Sequence, residues 1–184
     1  MMKNRDVIKY IKSDAFRYCG SYKFFDIIRI YLLNRFFRYI FWFRLSKSNT
    51  KLFSLVAKMF KSYLSAKTGI QISSSVNIGY GLYIPHGYVV INASAIIGNN
   101  CNLCQFTTIG SVNKKAAKLG DNVYVSPNTC IVESINIDDN VIIGAGSVVV
   151  KNVAANCIVA GVPIKVLCKL KDTNNYIKNK FLEF

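Results

Sequence analysis

Between residues 72 and 149 the aliphatic side chains return every six positions. They fall at Ile72, Ile78 and Ile84, then at Ile91, Ile97, Leu103 and Ile109, and resume at Leu119, Val125, Ile131, Ile137, Ile143 and Val149. The residue after a rung is often Gly or Asp, as at Gly79, Gly98, Gly110, Gly120, Asp138 and Gly144. The position four after a rung is small or β-branched, as at Val76, Thr107, Val123, Thr129, Val141 and Ser147. A helix requires a period near 3.6 and a half-buried strand a period of 2, so neither produces a period of six. Three short strands per turn of a β-solenoid do, because each rung then stacks on the rung one coil below. The chain is therefore expected to be mainly β, a parallel β-helix.

Two interruptions of the ladder carry information. Ile84 to Ile91 is seven residues, so one extra residue enters just after His86, the only histidine of the chain. Ile109 to Leu119 is ten, which leaves a loop over 111–118. Insertions in a solenoid are extruded at corners, where they line grooves without disturbing the stacked core. After Val149 the pattern fades through Lys151, Asn152 and Val153 and ends in Ala160-Gly161-Val162-Pro163. The organisation that follows is a helical region over 1–68, the solenoid over 69–167 and a short tail over 168–184.

Charge separates the first region from the rest. Residues 1–68 hold 15 Lys and Arg against 3 Asp, a balance of +12, whereas 69–184 hold 9 against 6 acids, a balance of +3. The basic region contains the apolar, aromatic run FFDIIRIYLLNRFFRYIFWFRL from Phe24 to Leu45. A transmembrane span is disfavoured, because Asp26, Arg29, Arg35, Arg38 and Arg44 interrupt the run and each charge at a bilayer centre costs at least ~2.5 kcal/mol. Two compatible readings remain. The run lies in the headgroup layer of an anionic membrane, or it forms a cap whose apolar face covers the open end of the solenoid. No nucleic-acid module accompanies the charge, so nucleic acid is not an expected partner.

Six cysteines, Cys19, Cys101, Cys104, Cys130, Cys157 and Cys168, show no disulfide framework, and no cleavable signal opens the chain. The cytoplasm is the expected compartment, with peripheral contact at the inner face of the cytoplasmic membrane under the first of those readings. Cys101 and Cys104 form a CxxC, but the further ligands of a zinc site are missing, and Cys101 takes an inward slot of the ladder. Packing explains it better than a metal does, and no metal is expected.

The segments IGYGLYIPHG (78–87), LGDNVYV (119–125), IDDNVIIGAGSVVVKNV (137–153) and AGVPIKV (160–166) resemble the hexapeptide-repeat acyltransferases of the serine acetyltransferase-like branch. The resemblance covers a little over half of the chain. It implies a left-handed β-helix, a homotrimer with active sites between subunits, and acetyl-CoA as co-substrate. Within the branch, IPHGYVVIN (84–92) resembles most the exopolysaccharide and colanic-acid acetyltransferases. The serine enzymes have Asp where this chain has Pro85, Asp at the place of Gln71, and an Arg-His pair where the loop ends in Ala117-Lys118. Those groups hold the amino acid or support the base.

Attack of a hydroxyl on a thioester requires the hydroxyl proton to leave, and a neutral histidine suits this near pH 7. The resemblance makes His86 the general base and Gly110, by its backbone N–H, the donor to the oxyanion. It places acetyl-CoA against Ser126, Ala145 and Ser147, with Lys151 and Lys165 meeting CoA phosphates. Gly110, Ala145 and Ser147 also suit tight corners for purely structural reasons. A Cys104 nucleophile beside His86 is a rival mechanism, since rung Ile84 stacks under Leu103. The expected function is transfer of acetyl to a sugar hydroxyl of a surface glycan. The alternative is serine O-acetylation in cysteine biosynthesis, and a third class is a non-catalytic scaffold.

Overall fold

The computed structural model describes residues 2–112 and 115–182. Asn113 and Lys114, inside the expected loop, lie outside the described residues. Four helices come first: α1 (Asn4–Cys19), α2 (Phe24–Leu33), α3 (Arg35–Leu45) and α4 (Lys51–Thr68). A parallel β-solenoid follows, and its three faces are three sheets. The first sheet stacks β1 (Gln71–Ile72), β3 (Val90–Ile91), β6 (Thr108–Gly110), β9 (Cys130–Val132) and β12 (Val148–Val149). The second stacks β2 (Asn77–Ile78), β4 (Ile96–Ile97), β7 (Lys118–Leu119) and β10 (Asn136–Ile137). The third stacks β5 (Asn102–Leu103), β8 (Tyr124–Val125), β11 (Val141–Ile143) and β13 (Cys157–Gly161), and closes with the antiparallel β14 (Ile164–Lys169).

The six-residue ladder is the core. Ile72 pairs in register with Ile91, Ile91 with Ile109, and Ile109 with Ile131; Ile97 pairs with Leu119 and Leu103 with Val125. Every one of these rungs is buried, and so are Val76, Thr107, Val123, Thr129, Val141 and Ser147 at the small inward slot. The glycine after a rung has a steric cause. A Cβ on Gly79, Gly98 or Gly120 would stand 2.2–2.4 Å from Asn99, Asp121 or Asp139 of the next coil. Those side chains instead accept backbone N–H bonds across the coils, Asn99 N to Asp121 at 2.7 Å and Asp121 N to Asp139 at 2.7 Å. The ladder also continues past Val149 through a shortened corner. Val153 bridges to Ile137 and β13 pairs with β11 before the chain reverses into β14.

The aromatic run does not form one long helix. Asn34 divides it, its side chain accepting from Phe36 N at 3.0 Å and Phe37 N at 2.9 Å to start α3. Arg38 donates to Tyr31 O at 2.9 Å and Leu32 O at 2.7 Å, carbonyls at the end of α2. No helix among the described residues is long and apolar enough to cross a membrane. The helices do cover the open end of the solenoid. In α1, Val7, Ile11 and Ala15 recur every four residues and pack with Phe37 of α3. In α3, Tyr39, Ile40 and Phe43 join the solenoid core itself.

The first coil has no coil below it, so its edge N–H and C=O groups must be paired by the cap. Tyr39 OH accepts from Ile72 N at 3.1 Å, and Lys61 donates to Ile72 O at 2.8 Å. Arg44 donates to Ile78 O at 2.8 Å and Gly79 O at 2.6 Å while pairing with Asp14 at 2.7 Å. Asp14 accepts from Leu82 N at 2.7 Å, and Tyr18 OH donates to Ile84 O at 2.7 Å. Burial pushes the Asp14 carboxyl up, against the pull of the Arg44 guanidinium and the Leu82 N–H.

This cap yields a stability prediction. Asp14→Ala leaves Arg44 buried at 1% exposure without its carboxylate and the Leu82 N–H without its acceptor. We expect a loss of about 3–5 kcal/mol in chemical denaturation. An exposed substitution such as Lys171→Ala should stay within about 0.5 kcal/mol.

Candidate active site

His86 stands on the corner that leads from the third sheet to the first. Two contacts hold that corner. Tyr18 of α1 brackets Ile84, accepting from its N–H at 3.1 Å and donating to its carbonyl. Behind the histidine, a Cβ on Gly87 would lie 1.9 Å from Thr68 O, so only glycine lets the corner close on the end of α4. Tyr88 N then donates to that same Thr68 O at 2.9 Å. The imidazole of His86 is exposed and meets the Phe36 ring edge-on at 6.1 Å between centroids.

The extra residue after His86 shifts the phase of the strand that follows. Val89 turns inward and is fully buried, and Tyr88 adopts φ 61° and faces solvent. Its ring stacks on Phe106 of the next coil, 5.2 Å between centroids and 16° between planes. Phe106, Asn128 and Gly146 repeat the left-handed conformation on successive coils, so this corner is a continuous column.

On the other side of His86 lies a cavity of about 510 Å³ on the outer face of the third sheet. Its floor includes Tyr83, Asn102 and Tyr124; one wall is Arg17 and Tyr18 of α1, and the other is Tyr176, Lys178 and Asn179 of the tail. The tail is tied down. Asn102 Nδ2 donates to Tyr176 O at 3.4 Å, and Asn100 exchanges hydrogen bonds with the Phe181 backbone, both at 2.9 Å. Residues 168–169 still belong to β14, so the chain leaves the solenoid after Lys169.

The structure distributes the expected site residues over two corners. Ser126 and Ala145 lie on the same corner as His86, one and two coils above the Cys104–Gln105 segment, and Lys165 pairs with Ala160 at the upper end of that edge. Gly110 ends β6 in register with Val132, and Lys151 follows β12, so both sit where the first sheet turns into the second. A Cβ on Gly110 would meet only Thr108 Cγ2, at 3.8 Å, and its φ is not positive, so no tight corner demands glycine there. Ser147 requires a correction. Its side chain is buried, donating to Gly144 O at 2.6 Å and accepting from Gly161 N at 3.2 Å, and does not face a groove.

Cys104 lines the cavity with His86, but its thiol donates to Tyr124 OH at 3.4 Å and burial pushes it up. Burial pushes Cys101 up to about 12. Neither is poised as a thiolate. No group of three or more His, Cys, Asp or Glu that could hold a metal ion occurs among the described residues.

Sequence reasoning missed Arg17, Tyr18, Tyr83, Tyr176 and Lys178. Tyr83, Asn102 and Tyr124 were within reach of it, because each precedes a rung of one face and must point outward. Arg17 and Lys178 are 161 residues apart in contact, and no local pattern joins them. The corner itself is testable. Gly87→Ala should force the corner off Thr68 O and move the His86 ring, read as a shifted imidazole signal in NMR, while circular dichroism should show the solenoid retained.

No family model matches the chain. It is 39% identical over 105 residues to a serine acetyltransferase of Synechococcus elongatus, covering 54% of this chain and 43% of that protein. It is 37% identical over 114 residues to a serine acetyltransferase of Staphylococcus epidermidis, covering 59% and 54%. The chain spans about half the length of the curated relatives it matches. Among solved structures, serine acetyltransferase of Neisseria gonorrhoeae in complex with serine superposes with a TM-score of 0.73 and 29% identity over 88% of this chain and 69% of that one. A second structure of that enzyme gives 0.74 and 28% over 95% and 72%. The left-handed β-helix of acyltransferases is therefore the fold of this chain. The expected exopolysaccharide-type reading, with a surface glycan as acceptor, is corrected by these findings, since the relatives and neighbours are serine acetyltransferases.

Proposed function

We propose that this chain is an acetyl-CoA-dependent O-acetyltransferase with His86 as general base and the hydroxyl of serine, or of a close relative of serine, as acceptor. The carrying observation is the single histidine on a corner held by Tyr18 and Gly87, opening on a cavity, in a chain similar to serine acetyltransferases. The acceptor hydroxyl approaches His86 from the cavity and gives its proton to the imidazole as its oxygen attacks the thioester carbonyl. The C–O bond forms, the carbonyl oxygen takes the negative charge, and its collapse expels the CoA thiolate, which takes up the proton held by His86. Ser126 and Ala145 line the run of the pantetheine arm, and Lys165 at the upper edge meets a CoA phosphate. Gln71, Pro85 and Lys118 replace groups that hold the amino acid in the family, so the acceptor contacts here come from other residues.

Within one chain, Gly110 and Lys151 occupy the far end of the first sheet from His86. We therefore propose a closed homotrimer in which the His86 corner of one chain faces the Gly110 corner of its neighbour. Gly110 then offers its N–H to the oxyanion, and its missing side chain leaves room for the thioester.

His86→Ala should lower kcat for acetyl-CoA consumption with L-serine by about 10²–10⁴-fold without loss of the fold. Unchanged turnover would overturn the base assignment, and no acetylation of either L-serine or L-seryl-glycine by the unaltered chain would overturn the acceptor. Light scattering should give three times the chain mass; a fully active monomer would overturn the intersubunit site.

The cap leaves a further face exposed. Phe24, Phe25, Leu32 and Leu33 of α2 and Leu52, Phe53, Met59 and Tyr63 of α4 are exposed, as are Lys51 and Lys58. We propose peripheral contact of this face with anionic lipid, to which each nearby Lys or Arg contributes about 1 kcal/mol. The chain should float with anionic but not neutral vesicles and be released by salt. Failure to float would overturn the membrane contact and leave these helices as a cap of the solenoid.

A further inference from the structure

The cavity beside His86 holds a buried cation that makes no ion pair with a carboxylate among the described residues. Arg17 is 4% exposed. Its guanidinium donates from Nη1 to Gly81 O at 2.7 Å, from Nη2 to Asn102 Oδ1 at 2.5 Å and from Nε to Lys178 O at 3.1 Å. All three acceptors are neutral, and the Tyr83 ring, 5.7 Å from the guanidinium carbon, adds only its π face. A guanidinium carries five N–H donors, so two remain. Asp14, one helical turn away on α1, is engaged by Arg44 and by Leu82 N. Among the described residues no Asp or Glu lines the cavity, whereas Lys178 adds a second cation. Burial lowers Arg17 to about 10, which leaves it charged at neutral pH.

A buried cation without a carboxylate is costly unless a ligand supplies the anion. A planar fork with free donors suits a carboxylate in particular. We propose that Arg17 and Lys178 form the carboxylate subsite of the acceptor, whose hydroxyl is presented to His86 from the same cavity. The acceptor is thus a hydroxyl-bearing carboxylate. This inference rests on the acetyl-transfer reading and supplies what Gln71, Pro85 and Lys118 do not. The subsite is assembled from the cap and the tail, one on each side of the solenoid face, and both are needed. Arg17 reaches the cavity because Gly81 O and Asn102 hold it there, and the Lys178 carbonyl fixes the tail across it.

The test is calorimetric binding to the full chain, which does not depend on turnover. Two pairs of probes separate charge from length: L-serine against L-serinamide, and L-seryl-glycine against L-seryl-glycinamide. In at least one pair the carboxylate should bind about tenfold or more tightly than the amide. Lys178→Gln, an exposed position whose backbone contact to Arg17 is retained, should weaken the carboxylate and leave the amide unchanged. Arg17→Gln should remove the preference, with circular dichroism to check the fold; should that variant fail to fold, the probe pairs and Lys178→Gln still decide. Equal binding of carboxylate and amide, no binding of any probe, or an equal effect of Lys178→Gln on both members of a pair would each overturn the subsite. Carboxylate-selective binding without acetylation would instead leave the subsite standing and overturn the acetyl-transfer reading.

Discussion

The open end of a solenoid is a row of unpaired backbone groups, and here side chains pair it. Between coils the backbone pairs itself, since each strand finds the next one at the same register. Below the first coil there is no strand, yet Ile72, Ile78, Gly79, Gly81, Leu82 and Ile84 still present N–H or C=O groups. Tyr39, Lys61, Arg44, Arg17, Ser13, Asp14 and Tyr18 meet them one by one. An apolar cap alone would leave each of those groups desolvated at a cost of about 1–3 kcal/mol. The cap therefore needs charged and phenolic residues on an otherwise apolar surface. That is why Arg44 stands in the Phe24–Leu45 run, where it ends on the coil edge, while Arg38 meets the end of α2.

The same pairing positions the chemistry. Tyr18 fixes Ile84 two residues before His86, and Thr68 O, at the end of α4, fixes Tyr88 two residues after it. The histidine is thus held from both sides by helices that exist to close the solenoid. Its exposure follows, because Gly87 lets the backbone lie against Thr68 O and leaves the imidazole at the surface, edge-on to Phe36 of the cap. A loop of the same sequence without the cap would have no reason to keep that geometry.

How much of this was legible depended on the range of the signal. The ladder was fully legible, since a rung, a glycine and a small inward slot recur within a single coil and each has a steric cause on the next coil. The phase shift after His86 was half legible. The extra residue was visible, but that it would turn Val89 inward and Tyr88 outward depended on Thr68 O, which belongs to another element. Ser147 was misplaced because a small residue near a corner serves a groove and the interior equally well by composition. Only its bonds to Gly144 O and Gly161 N decide between them. The cap could be named but not drawn, because Asp14–Arg44 and Arg17–Asn102 join residues 30 and 85 positions apart.

The acceptor was misread for a related reason. Gln71, Pro85 and Lys118 all lie on the ladder, where motif and register make substitutions visible, and their departures read as the loss of serine recognition. The two walls of the cavity beside His86 are not made of ladder residues. They are made of Arg17 and Tyr18 from the cap and Tyr176 and Lys178 from the tail, segments with no repeat to read. A solenoid constrains its own corners tightly, since any change must fit the coils above and below. Helices and tails laid against its faces are free of that constraint. Recognition of an acceptor can therefore move from the coils to the cap while the base, the groove and the fold stay in place.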